Sequence, residues 1–153
     1  GSTDAAGALS RIAGAKALFL SRGDDSGTQK KEMELWRAAG TDARQASGTW
    51  YREAGAGMGA TLNSAAAMAA YTLTDRGTWL AFANKATLKI VVEGDRRLLN
   101  SYGVILVNPK RHPHVRAALG QTFIDWLVGP KGQAAIAGFR IGGQQAFFPN
   151  AGG

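Results

Sequence analysis

The chain contains no cysteine. That excludes disulfides, thiolate metal sites and cysteine nucleophiles, and it leaves the redox compartment open. Charge is sparse, at 19% of residues, and it leans one way: 18 Lys and Arg against 11 Asp and Glu, a formal net charge of +7. The basic residues are dispersed and not massed with aromatics, which fits a solvated basic surface better than a nucleic-acid interface. A small anionic ligand needs only one well-placed arginine, so net charge does not decide that case. No apolar run approaches the roughly 20 residues of a membrane span. No signal peptide is visible, and the opening Gly1-Ser2 reads as an expression scar.

Catalytic signatures are equally thin. Gly-x-Ser-x-Gly does not occur, and no pair of carboxylates has the look of an acid–base couple. His112 and His114 flank Pro113 with no third ligand nearby, so they read as surface residues and not as a metal site.

What the sequence does have is a distinctive turn. Ala17, Leu18, Phe19 and Leu20 form a short apolar run read as a buried strand, Ala17 to Leu20. Ser21-Arg22-Gly23-Asp24-Asp25-Ser26-Gly27-Thr28 follows, and then a helical pattern from Gln29 to about Ala39 that buries Met33 and Trp36. Ser26 and Gln29 are spaced as a capping box, with Asp25 as the rival N-cap. An arginine, two hydroxyls and a glycine thus sit where a strand becomes a helix N-terminus. Unpaired N–H groups and the positive end of the helix dipole make such a place attractive to anions.

For a tetrahedral oxyanion, the backbone N–H groups of Ser26, Gly27 and Thr28 and the hydroxyls of Ser26 and Thr28 are the candidate donors. Arg22 adds a fixed charge and a planar donor fork. Asp24 is expected to orient Arg22, and Asp25 to face the helix N-terminus or solvent. The competing reading is a capped strand–turn–helix junction with a surface arginine. The turn is not a P-loop, because no Gly-Lys-Ser/Thr follows, and Gly55, Gly57 and Gly59 make no dinucleotide fingerprint.

Elsewhere the pattern predicts helices over Asp4–Ala15, about Ala60–Ala70, Val115–Val128 and Pro130 to about Phe139. It predicts strands at Tyr71–Thr74, Leu88–Val92 and Tyr102–Val107, and a loop over 41–50. Alternation of strands and helices in 153 residues implies an α/β domain. Phe147 and Phe148 are expected to dock on another surface. The segment Thr74-Asp75-Arg76-Gly77-Thr78-Trp79 is polar at a strand end, where α/β sites gather ligand contacts; a plain turn with an internal ion pair is the alternative.

The turn itself, Gly57-Met58-Gly59-Ala60-Thr61-Leu62-Asn63, Tyr71 through Trp79, Tyr102-Gly103-Val104-Ile105-Leu106-Val107-Asn108-Pro109 and the ending Phe147-Phe148-Pro149-Asn150-Ala151 resemble the tungstate-binding proteins of bacterial ABC importers (TupA-like). The spacing Arg22, Asp24, Ser26, Gly27, Thr28 is also similar to that of periplasmic phosphate-binding proteins.

The resemblance implies a type II periplasmic-binding-protein-like α/β fold that closes on an oxyanion, tungstate or molybdate, in an interlobe cleft. It implies direct binding by a protein that is not an enzyme and needs no metal or cofactor, an ABC transporter permease as partner, and a periplasmic or extracellular location, membrane-associated through the transporter. Residues 1–98 would be one complete, oxyanion-binding second lobe. Residues 99–153 would be the C-terminal part of the first lobe, lacking an N-terminal partner that a missing segment or a swapped second copy would supply. The ligand contacts implied are Arg22, Ser26, Gly27 and Thr28, with Met58, Gly59, Thr74 and Arg76 as further candidates. A second reading is an oxyanion-sensing domain of a transcriptional regulator or signalling protein.

Overall fold

Asp4 opens the first helix, α1 (Ala5–Gly14), by accepting a hydrogen bond from the Gly7 N–H at 3.0 Å. The computed structural model describes residues 1–151. It divides the chain into two units, Gly1–Asn100 and a second from Ser101 onward.

In the first unit, α1 leads into strand β1 (Phe19–Ser21) and helix α2 (Gly27–Ala38). A 3-10 turn (Ala43–Ala46), strand β2 (Tyr51–Glu53) and helix α3 (Met58–Met68) follow. The two strands pair in parallel, Phe19 with Tyr51 and Ser21 with Glu53. On the other side of β1, Tyr71 forms an isolated parallel bridge with Phe19. Its N–H donates to the Leu18 carbonyl and its own carbonyl accepts from Leu20, both at 2.8 Å.

Successive strand residues point to opposite faces, and the core divides accordingly. Phe19 joins Leu9 of α1, Leu35 and Trp36 of α2, and Tyr51. Leu20 joins Ala65 of α3 and Ala70. The first cluster is aromatic: Phe19 meets Trp36 edge-on at 5.1 Å and stacks on Tyr51 at 6.0 Å. This is the layered arrangement in which each parallel strand runs directly into the turn and helix that follow it.

The strand expectations need correction. Tyr71–Thr74 supplies one bridging residue and not a strand, and Leu88–Val92 supplies only Val92, bridged to Ser2. Conversely β2 follows directly on the expected loop, and helix α4 (Arg76–Ala81), with Asp75 as its N-cap, arises where the alternative reading was a plain turn.

A polar clamp closes the unit on itself. Asp95, the N-cap of a 3-10 turn over Arg96–Leu98, accepts from the Ala5 N–H at 2.8 Å and from the Arg97 guanidinium at 2.6 Å. Arg97 also reaches Asp4 at 2.8 Å. The Arg97 side chain first, and the Ala5 amide second, hold the Asp95 carboxyl well below the usual range. A depressed carboxylate stabilises the fold above its unfolded pKa, and that stabilisation is lost as pH falls. The wild-type protein is therefore expected to lose more of its melting temperature than Asp95→Asn does on acidification below about pH 4. Parallel acid dependence of the two in a thermal melt series would refute the clamp.

In the second unit, helix α5 (Ala117–Val128) stops at Gly129 and helix α6 (Pro130–Gly138) restarts on Pro130. A hairpin of β3 (Arg140–Ile141) and β4 (Gln144–Gln145) turns through Gly142 and Gly143, both at positive φ. Residues 102–107 form no strand, because among the described residues no neighbouring strand supplies a ladder. Ile105 is 88% exposed, and Leu119, Phe123 and Trp126 of α5 are exposed as well. Phe147 packs on Tyr102 and Phe139, whereas Phe148 is exposed. Two open surface hollows lie in this unit, lined by residues such as Trp126, Ile136 and Phe147 in one and Val104, Val115 and Phe123 in the other. Their walls are largely apolar and offer little to an anion.

Candidate functional site

Parallel pairing puts the C-terminal ends of β1, β2 and the Tyr71 track on one edge of the first unit. The turns that carry the candidate residues all leave from that edge: 22–26 into α2, 54–57 into α3, and 72–75 into α4.

The first turn is built around Asp24. The Arg22 guanidinium donates to Asp24 Oδ2, through Nε at 3.1 Å and through Nη2. The expected Arg22–Asp24 pairing is therefore present. The Ser26 N–H donates to the other oxygen, Oδ1, at 3.3 Å. The Ser26 hydroxyl first, with the Arg22 guanidinium also contributing, holds the Asp24 carboxyl below its ordinary value. The Ser26 N–H, expected as a donor to a ligand, is directed onto Asp24 in this structure.

Ser26 is the N-cap of α2, its Oγ accepting from the Gln29 N–H at 3.3 Å. Gln29 reaches back with Oε1, but to the Asp25 N–H, one residue before the cap. Asp25 itself is exposed and sits at φ 57°, 3.8 Å from Lys30. This leaves the N–H groups of Gly27 and Thr28 at the first turn of α2 with no partner among the described residues. Arg22 is held in place close by in sequence, its side chain 18% exposed. Thr28 is buried.

Gly23 makes the turn possible. It lies at φ +63°, and a Cβ there would stand 2.7 Å from Glu53 Cβ on β2. Gly23→Ala is expected to destabilise the protein by about 2–4 kcal/mol, the left-handed penalty plus the overlap. Chemical denaturation measures it, and an unchanged midpoint would mean that the turn relaxes freely.

The second turn ends in Gly57, which caps α3 without a side-chain bond. The amides of Met58 and Gly59 therefore stand at an open helix N-terminus. The turn is tied to the first by hydrogen bonds from the Ala54 N–H to the Ser21 carbonyl at 2.9 Å and from the Ala56 N–H to the Arg22 carbonyl at 3.2 Å. The third turn differs. Asp75 occupies the N-terminus of α4, accepting from the Thr78 N–H and hydroxyl, both at 2.7 Å. Thr74 donates to the Asp75 carbonyl at 3.2 Å, and Arg76 lies 3.7 Å from Glu93. The fold therefore ties the Arg22 and Met58 turns together directly. Thr74 and Arg76 share the edge but are engaged with Asp75 and Glu93. Among the described residues no cluster of three or more His, Cys, Asp or Glu could hold a metal ion.

One group beneath the turn escaped the sequence reading. Glu32, 2% exposed, accepts at Oε1 from the Trp36 indole at 3.1 Å and the Tyr51 hydroxyl at 2.9 Å. Burial raises its pKa, against the lowering effect of Ser21, Tyr51 and Trp36; the nearby charge of Glu53 raises it further. Burial pushes the Tyr51 hydroxyl up as well. The clue in the sequence was register: Thr28, Glu32, Leu35 and Trp36 share the stripe that faces the core.

Residues 1–131 match the family described as the PBP superfamily domain. The chain belongs to that family. A Haloferax volcanii protein assigned to ABC-transporter anion binding is 48% identical over 99% of this chain and 45% of its own length. The tungstate-binding protein TupA of Peptoclostridium acidaminophilum is 43% identical over 97% of this chain and 51% of its own. Among solved structures, the tungstate-binding protein TupA of Desulfovibrio alaskensis superposes with a TM-score of 0.78 at 40% identity, over 96% of this chain and 60% of that one. The structure described as the tungstate ABC transporter from Geobacter sulfurreducens gives a TM-score of 0.78 at 46% identity, over 88% and 56%. The fold is thus that of a periplasmic binding protein, and its TupA-like character rests on sequence and structure alike. The chain spans about half the length of the curated relatives it matches. No helix of the described residues is long and apolar enough to cross a membrane.

Proposed function

We propose that this chain carries the oxyanion-binding turn of a substrate-binding protein that serves an ABC importer, with tungstate as ligand and molybdate as its chemical near-equal. The observation that carries the reading is the pairing of a fixed cation with open donors. Arg22 is held by Asp24, and the amides of Gly27 and Thr28 at the start of α2 are unpartnered. A fully ionised tetrahedral dianion accepts hydrogen bonds and offers none, so it suits a site made of donors and positive charge. Met58 and Gly59 at the uncapped start of α3 are further donors in this reading, and Thr74 and Arg76 stand at its margin. Ser26 acts through its hydroxyl.

Recognition in this reading is binding without catalysis, and needs no metal or cofactor. Residues 1–98 form the second lobe, and residues 99–153 the returning part of the first. The exposed apolar face of α5 is then covered by an N-terminal segment or by a swapped second copy. Delivery is to a permease, at the outer face of the membrane.

Calorimetric titration of the full-length protein with sodium tungstate and with sodium molybdate tests the reading. Saturable one-to-one binding of either oxyanion is expected. Absence of heat with both would overturn it.

A further inference from the structure

Every other charged side chain of α2 is at least partly exposed, but Glu32 is buried among aromatic rings. It lies one helical turn beyond Thr28, on the same face. Its carboxyl takes both its donors on one oxygen, from Trp36 on its own helix and from Tyr51 on β2. β1 pairs with β2, and its last residue, Ser21, is fully buried beside that carboxyl. Arg22 follows Ser21 immediately.

We propose that Glu32 is the positioning residue of the oxyanion turn: by holding α2 to β2 through Tyr51, directly behind Ser21, it fixes Arg22 and the first-turn amides of α2 in one geometry. This rests on reading that turn as the ligand site. Glu32 itself touches no ligand.

Burial and the nearby charge of Glu53 both favour the uncharged form of this carboxyl. A carboxylate buried one turn behind a bound dianion would repel it through the core. The groups that face Glu32 are Ser21 of β1, Trp36 of α2 and Tyr51 of β2, and Glu53 at the end of β2 is the one charge acting on it. No cation among the described residues joins them, and the burial that raises its pKa acts in the same direction as Glu53. The needed feature is therefore an acceptor of the right reach, not a negative charge. Glutamine supplies that acceptor and leucine does not.

The test uses the full-length protein with Glu32→Gln, Glu32→Leu, Tyr51→Phe and, as a control, Leu35→Ala. Leu35 is a core residue of α2 that has no polar link to the turn. Two readouts are followed: affinity for sodium tungstate, and hydrogen exchange of the amides of residues 22–28. Glu32→Gln should stay within about threefold of wild type in affinity and keep its exchange pattern. Glu32→Leu should bind about tenfold more weakly or worse, with faster exchange confined to the turn, as a buried donor loses its acceptor. Tyr51→Phe, which keeps the ring, should fall between them. Leu35→Ala should lower the melting temperature and leave affinity alone.

Loss in Glu32→Gln equal to that in Glu32→Leu would overturn the proposal, since charge would then be the requirement. Wild-type affinity in Glu32→Leu, or in Tyr51→Phe should the leucine variant not fold, would overturn it too. If the wild-type protein binds no tungstate, the proposed function fails. Exchange at the turn then decides about Glu32 alone, and an unchanged pattern in the substituted proteins refutes its positioning role.

Discussion

Arg22→Ala in the full-length protein is expected to abolish measurable tungstate binding while the fold stays intact. Arg22 is the one cation within the turn, and its guanidinium is already fixed on Asp24. Removing one partner of a charge-assisted contact to an enclosed dianion costs about 2–5 kcal/mol, because the other charge is left unpaired. Two kcal/mol is already more than tenfold in affinity. Folding has much less at stake: the Arg22–Asp24 pair is partly exposed, and such pairs contribute little to stability. Arg22→Lys separates charge from geometry. Lysine keeps the charge and loses the planar fork that grips Asp24. Substantial weakening is expected in the lysine variant as well. Titration of a folded alanine variant with wild-type affinity would move the site away from this turn.

Trp36→Ala is expected to bring about the largest loss of stability, about 3–5 kcal/mol. Trp36 is 1% exposed and packs against Phe19, Trp50 and Tyr51. Its removal opens a cavity at the centre of the aromatic cluster and also removes the indole donor from Glu32. Native domains are stable by only about 5–15 kcal/mol, so the variant approaches the unfolding threshold at ordinary temperature. Urea denaturation monitored by far-ultraviolet circular dichroism gives the number. A loss below about 1 kcal/mol, the range of ordinary surface changes, would mean that the neighbouring rings collapse into the gap.

The start of α2 was legible because its signals are local. Ser26 and Gln29 sit at capping distance, and Trp36 falls on the apolar stripe, so cap and core face both follow from spacing. Strands were less legible. Tyr51–Glu53 pairs for only three residues and begins just after Gly48 and Thr49, so no alternation had room to develop. Tyr102–Val107 shows the opposite failure. Its side chains have strong strand preference, but a strand exists only where a neighbour takes its hydrogen bonds, and preference cannot supply one. In the turn, the identity of the donors was visible but their prior commitments were not. Whether Ser26 N–H points outward or onto Asp24 depends on a loop conformation with Asp25 at positive φ, which spacing does not reveal. Glu32 was missed because a glutamate in a helix is read as solvated unless its register is followed to the core.

The bridge between Ser2 and Val92 and the bond from the Ala5 N–H to the Asp95 carboxylate bring the two ends of the first unit side by side. The peptide enters and leaves that body through one doorway. A body threaded this way behaves as an insert: a host polypeptide can accept it at a single loop, because the gap it must bridge is short. The same adjacency makes the ends interchangeable with a cut elsewhere. Joining residue 100 back to residue 2 by a short linker, and opening the chain in the exposed stretch near Gly48, should yield a rearranged polypeptide that keeps the order of layers.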